Sequence, residues 1–183
     1  MIHLASNSES RALLLRNANI PFIQKAPKYD EEQITTTIAK DFVYIASKGK
    51  LEAAIREFGL VRPLLTADSV IATAEGKILR KPKDIEDARR ILGLQSGADI
   101  AIISAMHYKT QSFYLCDVSA TYYQFAPFET EDLERYLTSG EWQGKAGGCM
   151  VEGFCKKYIQ EVQGYESTAM GLFVERLLGW MER

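Results

Sequence analysis

Four short segments carry the residue types that handle phosphate, metal ions and water. The first is Leu4-Ala5-Ser6-Asn7-Ser8-Glu9-Ser10-Arg11. A strand running into a helix through small hydroxyl residues leaves backbone N–H groups free at a helix N-terminus, where phosphate oxygens are well received. Ser8 adds a hydroxyl donor, and Arg11, one turn further on, adds a permanent charge with bidentate geometry. A helix that merely caps itself has the same look, since Ser6 and Glu9 have capping-box spacing. The second is Asp68 within Leu64-Leu65-Thr66-Ala67-Asp68-Ser69-Val70-Ile71. A carboxylate in an apolar strand is costly to desolvate, so it either faces a cleft or has a buried partner. Asp30, Glu31 and Glu32 offer a second carboxylate, and two carboxylates with water and phosphate oxygens suit Mg²⁺. A solvated acidic loop is the plainer reading for at least two of those three.

The third segment, Lys77-Ile78-Leu79-Arg80-Lys81-Pro82-Lys83, puts four cations near a rigid turn, which suits a polyphosphate or simply a wet loop. The fourth, Ser139-Gly140-Glu141-Trp142-Gln143-Gly144-Lys145-Ala146-Gly147-Gly148, invites comparison with a Walker loop. It is not one: the first glycine of that pattern falls on Ser139, and Ala146 follows the lysine where Ser or Thr is required. A linker or hairpin loop would use the same residues.

Other chemistries find little support. Only His3 and His107 are present, so no Ser/His/Asp arrangement can be argued. His107 falls where a hairpin turn is expected and reads as solvated. Cys116, Cys149 and Cys155 lack the spacing of a zinc site or disulfide framework and read as part-buried thiols. Twenty-two Lys+Arg against twenty-four Asp+Glu give a net charge of −2, which disfavours a broad face for duplex DNA or RNA. No apolar run approaches the ~20 residues of a membrane helix, and the start lacks a signal pattern, so a cytoplasmic protein without membrane contact is expected.

The elements that must position these groups follow from periodicity. Ile2–Leu4 reads as a strand entering a helix that carries Ala12–Leu15, and Pro21–Ile23 as a second strand. Ile34 to Phe58 is amphipathic at helical spacing, with Gly49 its weak point and Gly59 its stop. Leu64–Ala74 reads as a strand turning at Glu75-Gly76-Lys77 into Ile78-Leu79, and Asp84 opens a helix through Leu92. Ala98–Phe125 reads as strand, turn near His107–Thr110, then Phe113–Leu115 and Val118–Phe125. Glu129–Leu137 and Thr168–Trp180 read as helices. With 183 residues, no linker and helices mixed with antiparallel hairpins, a single α/β domain with a mixed sheet is expected.

In order, these segments resemble the Maf family of nucleoside triphosphate pyrophosphatases. Its Leu-Ala-Ser-x-Ser-Pro-Arg-Arg opening is similar to Leu4–Arg11, and its Ala-Asp-Thr-Val strand to Ala67-Asp68-Ser69-Val70. Its Gly-Lys-Pro turn resembles Arg80-Lys81-Pro82, its Asp-Glu loop and later lysine resemble Asp30-Glu31 and Lys48, and its Gly-Glu-x-x-x-Lys-Ala-Gly segment resembles Gly140–Gly147. The resemblance implies an elongated two-lobed domain over 1–183 with a central cleft, a twisted mixed sheet and flanking helices, as in inosine triphosphate pyrophosphatases. It also implies a homodimer, a Mg²⁺ or Mn²⁺ cofactor, and cleavage of a nucleoside triphosphate to monophosphate and pyrophosphate, a house-cleaning of the nucleotide pool. Asp68 falls on the family's proton acceptor; Asp68 and Glu31 would hold the metal; Ser8, Arg11, Lys48 and Lys81 would hold phosphates, with Lys145 nearby.

The resemblance leaves the base less defined. Members acting on dTTP and UTP carry Arg, Thr and Gln at three discriminating positions, and the branch acting on 7-methyl-GTP carries Trp, Gln and Glu. Those positions fall here on Ser10, Ser69 and Glu152, matching neither set. A carboxylate at 152 fits the N1–H/N2–H₂ edge of guanine, so a guanine-like base is favoured. Two rival readings are a sister enzyme of the purine-repair type and a non-catalytic nucleotide-binding regulator of cell division.

Overall fold

A mixed sheet of seven strands organises the computed structural model, which describes residues 1–181. The strands are β1 (Ile2–Leu4), β2 (Phe22–Gln24), β3 (Leu64–Thr73), β4 (Ile78–Leu79), β5 (Asp99–Lys109), β6 (Tyr114–Phe125) and β7 (Ile159–Gln163). The helices are α1 (Glu9–Asn17), α2 (Ala39–Phe58), α3 (Ile85–Gly93), α4 (Thr130–Ser139), α5 (Glu166–Ala169) and α6 (Val174–Met181). Along the sheet the order is β2-β1-β3-β5-β6-β7, with β4 beside β3. β1 pairs in parallel with β2 and β3, which is the geometry that crossover helices α1 and α2 permit. From β3 onward every pairing is antiparallel: short turns join β3 to β4 and β5 to β6, while β5 and β7 return to the sheet after α3 and α4. The α/β class with a mixed sheet and flanking helices is as expected.

Helix α2 covers one face, packing Phe42, Val43 and Ala46 onto Val70, Ala72 and Ala105. The opposite face carries two separate apolar clusters. One joins α1 and α6 to β1 and the first half of β3, through Leu4, Leu15, Leu65, Ala67 and Leu177. The other joins α3 and α4 to the far ends of β3, β5 and β6, through Ile71, Ile91, Ile102, Phe125 and Leu137. Each fully buried Leu or Ile there stabilises the fold by about 2 kcal/mol. Between the clusters runs a polar seam. Ser104 Oγ donates to the Thr168 carbonyl (2.7 Å), which leaves Ser69 Oγ to donate to Ser104 Oγ (2.8 Å), while Ser119 and Thr168 hydroxyls lie 3.1 Å apart. Every hydroxyl of the seam has a partner, as buried polar groups require. No helix among the described residues is long and apolar enough to cross a membrane.

Several local expectations are corrected. α2 begins at Ala39, not Ile34: Thr35-Thr36-Thr37 are β-branched, and Thr36 Oγ1 accepts from Ile38 N (3.2 Å), holding the chain extended. Gly49 leaves α2 unbroken; a Cβ there would meet the Tyr29 ring. Ser8, rather than Ser6, caps α1, accepting from Arg11 N, and Ser6 turns to Ser8 N instead. β6 is continuous through Cys116 and Asp117. The expected final helix is two, α5 and α6, parted at Gly171, whose φ of 101° no helix accommodates.

His107 lies inside β5, fully buried, because the turn closes later, where Thr110 Oγ1 accepts from Ser112 N and Phe113 N. Its Nδ1 is 2.6 Å from Tyr114 Oη, and burial pushes its pKa down to about 4. Cys149 and Cys155 form a disulfide rather than two thiols, since turns at Ala146–Gly148 and Met150–Gly153 fold the chain back and bring their Cα atoms to 6.5 Å. Cys116 alone is free.

Gly164, between β7 and α5, has φ 123°, and a Cβ on it would lie 2.8 Å from the Ala120 carbonyl and 2.9 Å from Thr121 Cα. Both neighbours are sheet backbone, which cannot yield. Gly164→Ala is expected to cost about 2 kcal/mol or more, lowering Tm by about 4 °C or more. Calorimetry checks this, and an unchanged Tm contradicts it.

Candidate active site

The sheet is notched at β3. β1 pairs with β3 only at Leu64 and Leu65 before its chain leaves the sheet at Leu4, and β4 begins to pair only at Ile71. From Thr66 to Val70 this edge of β3 has no strand beside it, while β5 pairs without interruption on the other edge. A cavity of about 620 Å³ opens at the notch. Alternation along the strand then sends Asp68 towards the α2 side and Ser69 towards the α1 side.

On the α2 side, Lys50 Nζ lies 2.5 Å from Asp68 Oδ1 and 2.5 Å from Glu31 Oε1. Asp68 is 5% exposed. Its burial raises its pKa above the ordinary value; Lys50 and Arg11 work against this, while the negative charge of Glu31 adds to it. For Glu31, burial also disfavours the charge, but Lys50, by charge and hydrogen bond, with Lys81 and Arg11, holds the carboxyl below its usual range. One ammonium thus serves two carboxylates.

On the α1 side, Arg11 is buried and tied three ways: Nε donates to the Gly171 carbonyl (2.9 Å), one Nη to Ser6 Oγ (3.0 Å), the other to Ser69 Oγ (3.2 Å). Burial lowers its pKa, opposed by Asp68 and Glu31. Gly171 is required here, since a Cβ would meet Arg11 Nε at 3.1 Å and Ser69 Oγ at 3.2 Å. The N-terminus of α1, with Ser8, faces the same cavity.

Lys81 and Lys145 line the remaining wall; neither has an ion-pair partner among the described residues, and Lys145 Nζ rests 5.7 Å from the centre of the Tyr136 ring. Beside them Ser10 Oγ donates to Glu152 Oε1 (3.1 Å), joining residues 142 apart in sequence. Four basic side chains (Arg11, Lys50, Lys81, Lys145) therefore share the cavity with three carboxylates (Glu31, Asp68, Glu152).

Asp68, Ser8, Ser10, Arg11, Ser69, Lys81, Lys145, Glu152 and Glu31 all meet at this cavity. Lys48 does not. It is exposed, its ammonium 5.8 Å from the Tyr44 ring, and Lys50 takes the place expected of it. Two residues on a helix are about 200° apart, so both cannot face one site. A signal existed: Lys50 falls on the buried stripe of Val43, Ala46, Ser47 and Ala54, where an unpaired lysine would be costly. Also not anticipated were Tyr29 and Met150 in the lining. As expected of a wet acidic loop, Glu32 is spent on exposed Arg80 and Asp30 on the Glu32 N–H.

Asp68 and Glu31 already converge on a single cation, the Lys50 ammonium, and present hard oxygen donors. They fit a Mg²⁺ or Mn²⁺ ion that keeps waters and takes its other ligands from phosphate. Among the described residues no third metal-ligating side chain joins them.

A sequence profile described as Maf-like protein matches residues 1–183. The nucleoside triphosphate pyrophosphatase of a Nitratiruptor species is 54% identical over 179 residues, covering 97% of this chain and 96% of that protein. The nucleoside triphosphate pyrophosphatase of Helicobacter pylori (strain Shi470) is 37% identical over 176 residues, 96% of this chain and 92% of that one. Its counterpart in Campylobacter jejuni subsp. jejuni serotype O:23/36 (strain 81-176) is 33% identical over 184 residues, 99% and 100% of the two chains.

Lys50→Met leaves Asp68 buried without its cation. Because Asp68 already has a raised pKa, its charged form is disfavoured in the folded state, and that cost grows as pH rises past the unfolded-state pKa and is complete above the folded one. Lowering the pH protonates the carboxyl and removes it. The stability gap between wild type and Lys50→Met is therefore expected to reach about 2–4 kcal/mol near neutrality and to shrink towards about pH 4. Urea titrations at both pH values check this; a gap that is constant, or larger in acid, contradicts it.

Proposed function

The chain belongs to the Maf-like protein family, and on that premise we propose that it hydrolyses a nucleoside triphosphate to monophosphate and pyrophosphate in the cavity around Asp68. One observation carries the reading: a buried carboxylate of raised pKa faces an open sheet edge among four basic side chains.

A triphosphate brings about four negative charges, and positioning plus charge neutralisation supply most of the catalysis of phosphoryl transfer. Lys81 and Lys145, without ion-pair partners among the described residues, take the tail; Ser8 and the α1 N-terminus offer N–H and O–H donors. Arg11, with three of its five N–H groups already committed, acts as a fixed charge beneath the phosphates rather than a flexible clamp. Asp68 accepts the proton of the water that attacks the α-phosphorus, and its raised pKa makes it a better base near neutrality than an exposed aspartate. Asp68 and Glu31 would hold Mg²⁺ or Mn²⁺, which when bound neutralises phosphate charge and lowers the pKa of coordinated water. Lys50 keeps the two carboxylates together and hands over part of its role when a stronger cation arrives.

On the same cavity wall, Glu152 presents a carboxylate aligned by Ser10. A carboxylate accepts two parallel hydrogen bonds, which suits the N1–H and N2–H₂ of guanine, including a modified guanine, and offers no donor to a pyrimidine carbonyl.

Asp68→Asn is expected to lower kcat by about 10²–10⁴ in a pyrophosphate-release assay, and near-normal turnover contradicts the base assignment. Across a panel of ordinary and modified triphosphates, guanine nucleotides are expected to lead, with Glu152→Gln losing about tenfold of that preference. Cleavage confined to pyrimidine nucleotides overturns the base reading.

A further inference from the structure

Glu152 owes its place to an unusual support. The segment that carries it is a short loop closed on itself by the Cys149–Cys155 disulfide, six residues apart in sequence. Cys149, Met150 and Glu152 line the cavity, and Val151 is buried behind them. Both ends of the loop are fixed firmly. Cys149 Sγ lies 3.6 Å from Oε1 of Gln95, a fully buried side chain whose Nε2 donates to the Gly147 carbonyl (2.6 Å) and the Ile91 carbonyl (3.2 Å). Cys155 is fully buried in the cluster that holds Phe128 and Tyr158. Between these anchors, Glu152 is held by the hydrogen bond from Ser10 and by one turn bond, Gly153 N to the Met150 carbonyl (3.0 Å). The covalent link is the strongest restraint on where that carboxylate stands.

We infer that Cys149 and Cys155 are positioning residues for recognition of the base, and that opening their disulfide by exchange with a dithiol loosens base selection without disabling bond cleavage. The inference rests on the reading of the cavity as a nucleotide site. In the exchange, a reductant thiolate attacks one Sγ and breaks the S–S bond. The reductant's second thiolate then attacks the reductant sulfur of the mixed disulfide and expels the cysteine as thiolate, so that after proton uptake two cysteine thiols and a cyclic disulfide of the reductant remain. The bond-breaking end is built from other elements: Asp68 from β3, Lys50 from α2 and Glu31 from the loop before α2. An unlinked loop has more conformations to lose when the base binds, so the cost falls on affinity and selectivity.

The test uses the full chain purified without reductant. Thiol titration in denaturant is expected to find one thiol, Cys116, rising to three after dithiothreitol. Pyrophosphate release and binding of a non-hydrolysable GTP analogue are then measured on both forms and on Cys149→Ser/Cys155→Ser, with circular dichroism checking the fold. In the reduced form and the variant, KM and Kd for the guanine nucleotide are expected to rise about tenfold. kcat stays within about twofold, and the GTP/UTP ratio of kcat/KM moves towards one. The variant is expected not to respond to reductant. Three thiols that a mild oxidant cannot convert to one overturn the inference, and so do equal KM and selectivity in both forms. If no triphosphate is hydrolysed yet nucleotide affinity falls on reduction, the proposed activity fails and the positioning role stands; redox-insensitive hydrolysis gives the reverse.

Discussion

The open edge of β3 is the constraint from which the rest of the site follows. A strand in mid-sheet normally has neighbours on both sides, and a carboxylate on it would be sealed in apolar packing. Here β1 ends after two paired residues and β4 starts at Ile71, so Thr66–Val70 border a cavity on one side while β5 holds the strand rigid on the other. Asp68 is thus nearly dry yet reachable from the cavity, which raises its pKa without isolating it from a ligand. Ser69, the next residue, points to the opposite face and joins the polar seam that parts the two apolar clusters. One strand therefore serves both sides of the cavity.

Charge balance gives the site its second property. A cluster of basic side chains left alone would repel itself, and two carboxylates left alone would shed one charge. Lys50 settles this by standing between Asp68 and Glu31, while Arg11 is fixed by carbonyl and hydroxyl partners and exerts its charge from behind Ser69. Lys81 and Lys145, which have no ion-pair partner among the described residues, are the cations with most to gain from an anionic ligand. The site is organised before anything enters it, which lowers the reorganisation that catalysis would otherwise require.

Much of this was legible in the sequence, and the reasons for the rest are physical. A single charge in an apolar strand is a strong signal, because burial without a purpose is costly, and Asp68 stood out for that reason. Ser8 and Arg11 were legible because helix N-termini have local rules. Lys50 was missed for Lys48 because helical phase is set by tertiary packing, and one step along the chain swings a side chain by about 100°. His107 was placed in a turn that closes three residues later, and the Cys149–Cys155 link depends on a chain reversal through glycines that no periodicity announces. The break between α5 and α6 at Gly171 was hidden for a related cause: the glycine is there to admit Arg11 and Ser69, residues far away in sequence.

The account's central claim is that Asp68, tuned by burial and by Lys50, accepts the proton that starts hydrolysis. The most direct measurement is the pH dependence of kcat/KM for wild type and Lys50→Met with the same triphosphate, so that the substrate's own titration cancels. An acid limb that lies above the ordinary aspartate range and moves to higher pH when Lys50 is removed is the predicted result. A limb that keeps its position in the variant would contradict it.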